Sequence, residues 1–196
     1  MIKSIFWVSI TTAILFTSSC ATRTVARVDP NKQVDLSGRW NDVDSKLTAE
    51  AMTQQALGEI WLENFVTNSN GKQPVVIVGM VTNKSHEHIE AETFIKDLEK
   101  SFIKSQRVRL VQAGDKREEI RKERADQQTN SSVSTMKKFG LEIGADFILQ
   151  GSINSIVDSY KKDKVVYYQI DLELTNLQTN EVVWIGDKKI KKLVKN

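Results

Sequence analysis

One cysteine, two histidines and two prolines in 196 residues exclude a good deal. With Cys20 alone no internal disulfide can form, so the fold stands on its core even in an oxidising compartment. No second thiol remains as a nucleophile. His86 and His88 lie in Ser85-His86-Glu87-His88, and two rings with one neighbouring carboxylate fall short of the three protein ligands a zinc site needs. They read as a polar loop between a strand and a helix, and no metal is assigned. Neither GxxxxGK[ST] nor GxGxxG occurs, which removes the usual phosphate cradles. The net charge of +3 is too balanced for a nucleic-acid footprint. Carboxylate pairs such as Asp171 and Glu173 sit on a strand's wet side and carry no specificity without a pocket. The reading is a protein that is not an enzyme and takes no cofactor.

What is present begins with an export leader. Lys3 precedes an apolar run over residues 4–16, too short for an ordinary membrane span. Small residues Thr17-Ser18-Ser19 lead into Cys20, a loose form of the lipobox of bacterial lipoproteins. Residues 1–19 are expected to be a signal peptide, with Cys20 lipidated as residue one of the mature chain. The alternative is cleavage by ordinary signal peptidase, leaving a spare thiol. Without the leader 27 basic and 25 acidic side chains remain. Residues 20–36 read as the lipidated cysteine and a flexible tether. Its length is at most about 55 Å extended and about 20–24 Å as a coil. Residues 37–196 make one domain.

Asp44 or Ser45 is expected to cap a helix to about residue 65, with Leu57, Ile60, Trp61 and Phe65 on one stripe. Residues 75–81 are almost unbroken apolar, a strand expected to be covered on both sides. A helix follows over residues 88–104, with Ala91, Ile95, Leu98 and Phe102 on one face, then a short strand at 107–111. That order predicts a parallel crossover. Residues 115–128 are the most charged stretch, either a solvated helix or a loop. Ser131 or Ser132 is expected to cap a further helix carrying Val133, Met136 and Phe139. Strands follow over 147–157, 166–174 and 182–193. In the second, Val166, Tyr168, Ile170, Leu172 and Leu174 alternate with polar residues. Short turns join these three into an antiparallel meander. The fold class is α/β, a mixed four- to five-stranded sheet flanked by helices. The lysines of 188–192 read as charge guarding a sheet edge.

The stretches LSGRWND (36–42), PVVIVG (74–79), GADFILQG (144–151), VYYQIDL (166–172) and TNEVVW (179–184) resemble the LpoB-like family of outer-membrane lipoproteins. The likeness runs over nearly all of residues 36–194. It implies a single compact domain similar to the N-terminal domain of TolB. It implies that the protein sits on the periplasmic face of the outer membrane. Its partner would be a class A penicillin-binding protein, whose active conformation it stabilises by binding, without covalent chemistry. The alternative function is a non-catalytic envelope assembly module that pairs with other chains through an exposed sheet edge. Candidate partner-binding residues are Arg39, Trp40, Arg107, Arg109, Glu118, Arg121 and Arg124. Trp40 reads either as a lid folded on the first helix or as a partner contact.

Overall fold

A computed structural model describes residues 25–30, 32–132 and 142–195. The chain divides into two units, Met1–Lys32 and Gln33–Asn196. In the first, the described residues are exposed, and Lys32 N–H donates to the Asp29 carbonyl at 3.0 Å. The second holds every described buried residue and so carries a core of its own.

The first helix, α1 (Asp42–Gly58), starts at a reciprocal cap. The Asn41 side chain accepts the Asp44 N–H, and the Asp44 carboxylate accepts the Asn41 N–H, each at 3.0 Å. This satisfies two amides that a helix N-terminus leaves without partners. The continuous helix expected to residue 65 is instead broken. Glu59 is extended (φ −89°, ψ 157°) directly after Gly58, and α2 (Ile60–Asn68) begins beyond it. The break turns Trp61 into the core, where its Nε1–H donates to the Ala56 carbonyl at 2.6 Å. Ile60, assigned to the apolar stripe, is thereby left 65% exposed.

The strand β1 (Val75–Asn83), helix α3 (Ala91–Ser105) and strand β2 (Arg109–Leu110) form the predicted parallel crossover. In α3, Phe94, Leu98 and Phe102 are buried. The expectation that β1 is covered on both sides is corrected. Val76, Val78 and Val81 are buried, but a register shift between Val78 and Val81 leaves Met80 exposed. The charged stretch is a helix, α4 (Gly114–Asn130), with no buried residue. The helix expected after Ser131 falls on residues 133–141, outside the described residues.

The strands β3 (Phe147–Tyr160), β4 (Asp163–Asn176) and β5 (Val182–Val194) form the meander, and the five-stranded sheet has the order β2-β1-β3-β4-β5. β3 pairs in parallel with β1 and antiparallel with β4. The period-two reading of β4 holds: Val166, Tyr168, Ile170, Leu172 and Leu174 are all buried, in one core cluster with residues of α1 and α3. Between α1 and α3, Ser45 Oγ donates to Asp97 at 2.9 Å. The register leaves no room at Gly151, where a Cβ would meet the Asp171 carbonyl oxygen at 2.0 Å. Fourteen residues make β3 about 45 Å long, so the sheet has two well-separated ends. One end holds the β3–β4 turn and the C-terminus of β5. The other holds β2, the start of β3 and the β4–β5 turn.

Candidate functional site

At the end with the β3–β4 turn (the hairpin end, opposite the far end with β2), residues 35–39 run beside the last residues of β5. By strand alternation Trp184, Gly186, Lys188, Ile190 and Lys192 point to the helix-covered side of the sheet. A lysine in that series needs anionic partners. Lys192 Nζ lies 2.6 Å from Asp44 Oδ2 and 2.8 Å from Asp35 Oδ1, and donates to the Arg39 carbonyl at 3.0 Å. The hydrogen bond from Lys192 holds the Asp35 carboxyl below its ordinary range. Burial alone would lower the Lys192 amine, but its bonds to Asp35 and Asp44 outweigh burial and hold it above. Gly38, at φ +69°, passes so close to Val194 that a Cβ would lie 2.3 Å from its methyl. Arg39 is exposed on this segment and Trp40 is half-buried.

Trp40 packs on α3 and β4. Its ring meets Phe94 of α3 at 6.3 Å and Tyr168 of β4 at 5.6 Å, both edge to face. Its amide donates to Glu87 Oε2 at 3.1 Å, and the Tyr168 hydroxyl donates to Glu87 Oε1 at 2.7 Å. Burial, with Glu87 adjacent, pushes the Tyr168 hydroxyl well above its ordinary range. His86 joins this group, with Nε2 3.2 Å from Glu87 Oε1 and Nδ1 2.6 Å from Ser155 Oγ. A serine, histidine and carboxylate in sequence suggest a nucleophile and its base. Their other bonds give a different reading. Ser155 Oγ also accepts the His86 amide at 2.9 Å, and the two Glu87 oxygens serve Trp40 and Tyr168. The group fastens the loop before α3 to β3 and β4. The exposed His88 ring points elsewhere, toward Glu90 at 4.0 Å. Among the described residues no group of three or more His, Cys, Asp or Glu is placed to hold a metal.

The remaining candidates are elsewhere. Arg107 donates to the Leu57 carbonyl at 2.6 Å, satisfying one of the open carbonyls at the end of α1. Arg109, exposed on β2, lines an open cleft of about 510 Å³ at the far end with Lys72, Phe65, Ile143 and Asp146. Asp146 is occupied there by the Val75 amide at 2.7 Å. On α4, Arg121 grips Glu142 through two bonds of 2.8 and 3.0 Å and also contacts Glu118, while Arg124 stands 3.8 Å from Glu142. These bonds keep the Arg121 guanidinium charged and hold Glu142 below the usual carboxylate range. The seven candidates therefore divide among three places: Arg39 and Trp40 at the hairpin end, Arg107 and Arg109 at the far end, and Glu118, Arg121 and Arg124 on α4. Asp171 and Glu173 lie on the sheet's open face, where Asn154 and Gln169 donate to Asp171 at 3.1 and 2.8 Å. Cys20 lies outside the described residues. Sequence reasoning missed Glu87 and Lys192. The parity of Lys192 with Trp184 and Ile190 was the available signal for the latter.

The described surface thus offers exposed cations, a shallow cleft and a pinned segment over residues 35–41. The family model described as "Peptidoglycan-synthase activator LpoB" matches residues 44–190. No curated protein sequence matches the chain. Among solved structures, the LpoB C-terminal domain from Escherichia coli is similar at 17% identity and a TM-score of 0.45, covering 76% of this chain and 99% of that one. The LpoB C-terminal domain from Salmonella enterica is similar at 17% identity and 0.43, covering 78% and 99%. A PelC dodecamer from Paraburkholderia phytofirmans is similar at 11% identity and 0.37, covering 61% and 72%.

Proposed function

The chain belongs to the LpoB family of peptidoglycan-synthase activators, and from that premise we propose that it binds and activates a class A penicillin-binding protein. On this reading it is a non-catalytic lipoprotein, held through Cys20 on the periplasmic face of the outer membrane. The match over residues 44–190 carries the reading. The arrangement of side chains supports it, since the one serine–histidine–carboxylate group described above is committed to holding a loop. An activator of this kind acts by preferring the synthase's active conformation. A tenfold shift in that population needs about 1.4 kcal/mol of preferential contact.

The surface offered for this contact is the far end. Arg107, Arg121 and Arg124 already serve partners within the chain, whereas Arg109 and Lys72 face an open cleft and form no ion pair among the described residues. The alternative reading, strand addition along the free edge of β5, has lysines at 188, 189, 191 and 192 set against it. The test is glycan polymerisation by a purified class A synthase with and without residues 33–196. Added domain is expected to raise the rate, and Arg109→Glu to abolish most of the rise. An unchanged rate with every class A synthase of the organism overturns the reading.

A further inference from the structure

The hairpin end gathers the positive charge of the molecule. Residues 156–166 and 187–195 hold eight lysines against three aspartates, while the whole chain exceeds neutrality by three. The rest of the chain is therefore slightly acidic. Of the eight, Lys192 is committed to Asp35 and Asp44, and Lys189 stands 3.2 Å from Asp187. Lys191 and Lys195 are exposed, and Lys161 holds its ammonium 5.3 Å over the Tyr160 ring.

The same end exposes apolar side chains that the helices do not reach. Tyr160 is 74% exposed, Ile156 67% and Leu193 60%. Val165 and Leu193 are direct partners, as are Ile156 and Tyr167, so the apolar groups and lysines share one projecting strip.

The place of this end in the chain favours a membrane surface as its occupant. The compact unit begins at Gln33, and Asp35 and Gly38 are fixed against Lys192 and Val194 at this end. Twelve residues, 21–32, lie between Cys20 and Gln33 in the sequence. They span at most about 45 Å and about 20 Å as a coil. On the lipoprotein reading, a lipid on Cys20 would hold a bilayer within that reach of the basic, apolar end of the domain.

We propose that the hairpin end is a docking face for an anionic phospholipid surface, with the lysines on headgroups and Tyr160, Ile156 and Leu193 at the headgroup–acyl boundary. Lysines near such a surface are attracted to it within about a Debye length, and an amphipathic aromatic ring suits the headgroup level. The docked domain presents the Arg109 cleft away from the membrane. The orientation rests on the lipoprotein reading above, whereas the lipid binding does not need it.

The experiment uses unacylated residues 33–196, which hold every described buried residue. Flotation compares vesicles of phosphatidylethanolamine with 30% phosphatidylglycerol and vesicles of phosphatidylcholine alone. Binding is expected to the anionic vesicles at low salt and to vanish at high salt. The triple variant Lys189→Glu, Lys191→Glu and Lys195→Glu is expected to bind on the order of a hundredfold more weakly. Tyr160→Ser is expected to lose a few-fold, and Lys104→Glu, at the far end of α3, to change nothing. Circular dichroism of each variant guards against misfolding. Equal binding to neutral and anionic vesicles overturns the proposal, as does no binding to either, or a triple variant that is folded and binds like its parent. Binding only to an acidic polymer or protein also overturns it. A negative vesicle result beside a positive polymerisation assay removes the docking and leaves the activator reading intact.

Discussion

At the far end of the sheet Trp61 and Phe65 meet Phe147 edge to face, at 5.1 and 5.3 Å, with Trp61 and Phe147 buried. At the hairpin end the chain is fastened instead by one lysine between two aspartates, of which Asp35 is more than a third exposed. The first arrangement is held by apolar contact that depends little on salt or pH. The second is electrostatic and close to solvent. Residues 35–41 are therefore held to the domain by a polar fastening, whereas the end proposed to face the partner is built on aromatic packing.

The largest effect separating the two ends is expected at Phe147. Phe147→Ala removes the ring that both α2 aromatics touch, and is expected to cost about 3–5 kcal/mol. Denaturant unfolding measures this as a fall in midpoint with the slope retained. A cost below about 1 kcal/mol would show that the far end does not depend on this packing.

Lys192→Met tests the other end. It keeps the aliphatic stem but leaves Asp44 with the Asn41 amide in place of two donors. The expected cost is about 2 kcal/mol, and its character matters more than its size. Hydrogen exchange should quicken at the Trp40 and Asn41 amides while the amides of β1 and β2 keep their protection. Acid gives the same local result. Asp35 is held below its ordinary value, so its contribution is complete above pH 3.8 and is lost as pH falls further, through the lowered value. Lys192 is held above 10.5, so its share is complete below pH 10.5 and is lost as pH rises from there through the raised value. Between those limits the fastening should be flat with pH. Uniform loss of protection along the domain would erase the distinction between the ends.

Much of this architecture was legible because single strands announce themselves by parity. The alternation in β4 identified five buried residues, and the strand–helix–strand order gave the parallel crossover. The break at Glu59 was not legible. Ile60 continues the helical spacing, and only the turn of Trp61 onto Ala56 shows why the helix stops. The candidate residues were chosen as exposed charges, a criterion that says nothing of partners distant in sequence. Arg107 reaches Leu57 across 50 residues, and Lys192 reaches Asp35 across 157. Glu87 looked like part of a polar loop, because its three neighbours come from residues 40, 86 and 168.

The smallest effect lies between the ends, on α1, which runs from the Lys192 fastening to the Arg107 cap. Thr48 and Thr53 are buried there, and their hydroxyls have no hydrogen-bond partner among the described residues. A hydroxyl taken from water without a partner is a cost, and valine keeps its shape without the polar atom. Thr53→Val is accordingly expected to stabilise by up to about 1 kcal/mol, raising the melting temperature by about 2–4 °C. Thr48→Val should do the same, since its hydroxyl too is buried without a partner among the described residues. Loss of stability instead would show the hydroxyl bonding a carbonyl one turn back, as threonines in helices can. If the gain appears at Thr53 and not at Thr48, the dry interior belongs to the far end alone, and the polar fastening near Lys192 extends its influence a full turn into the helix.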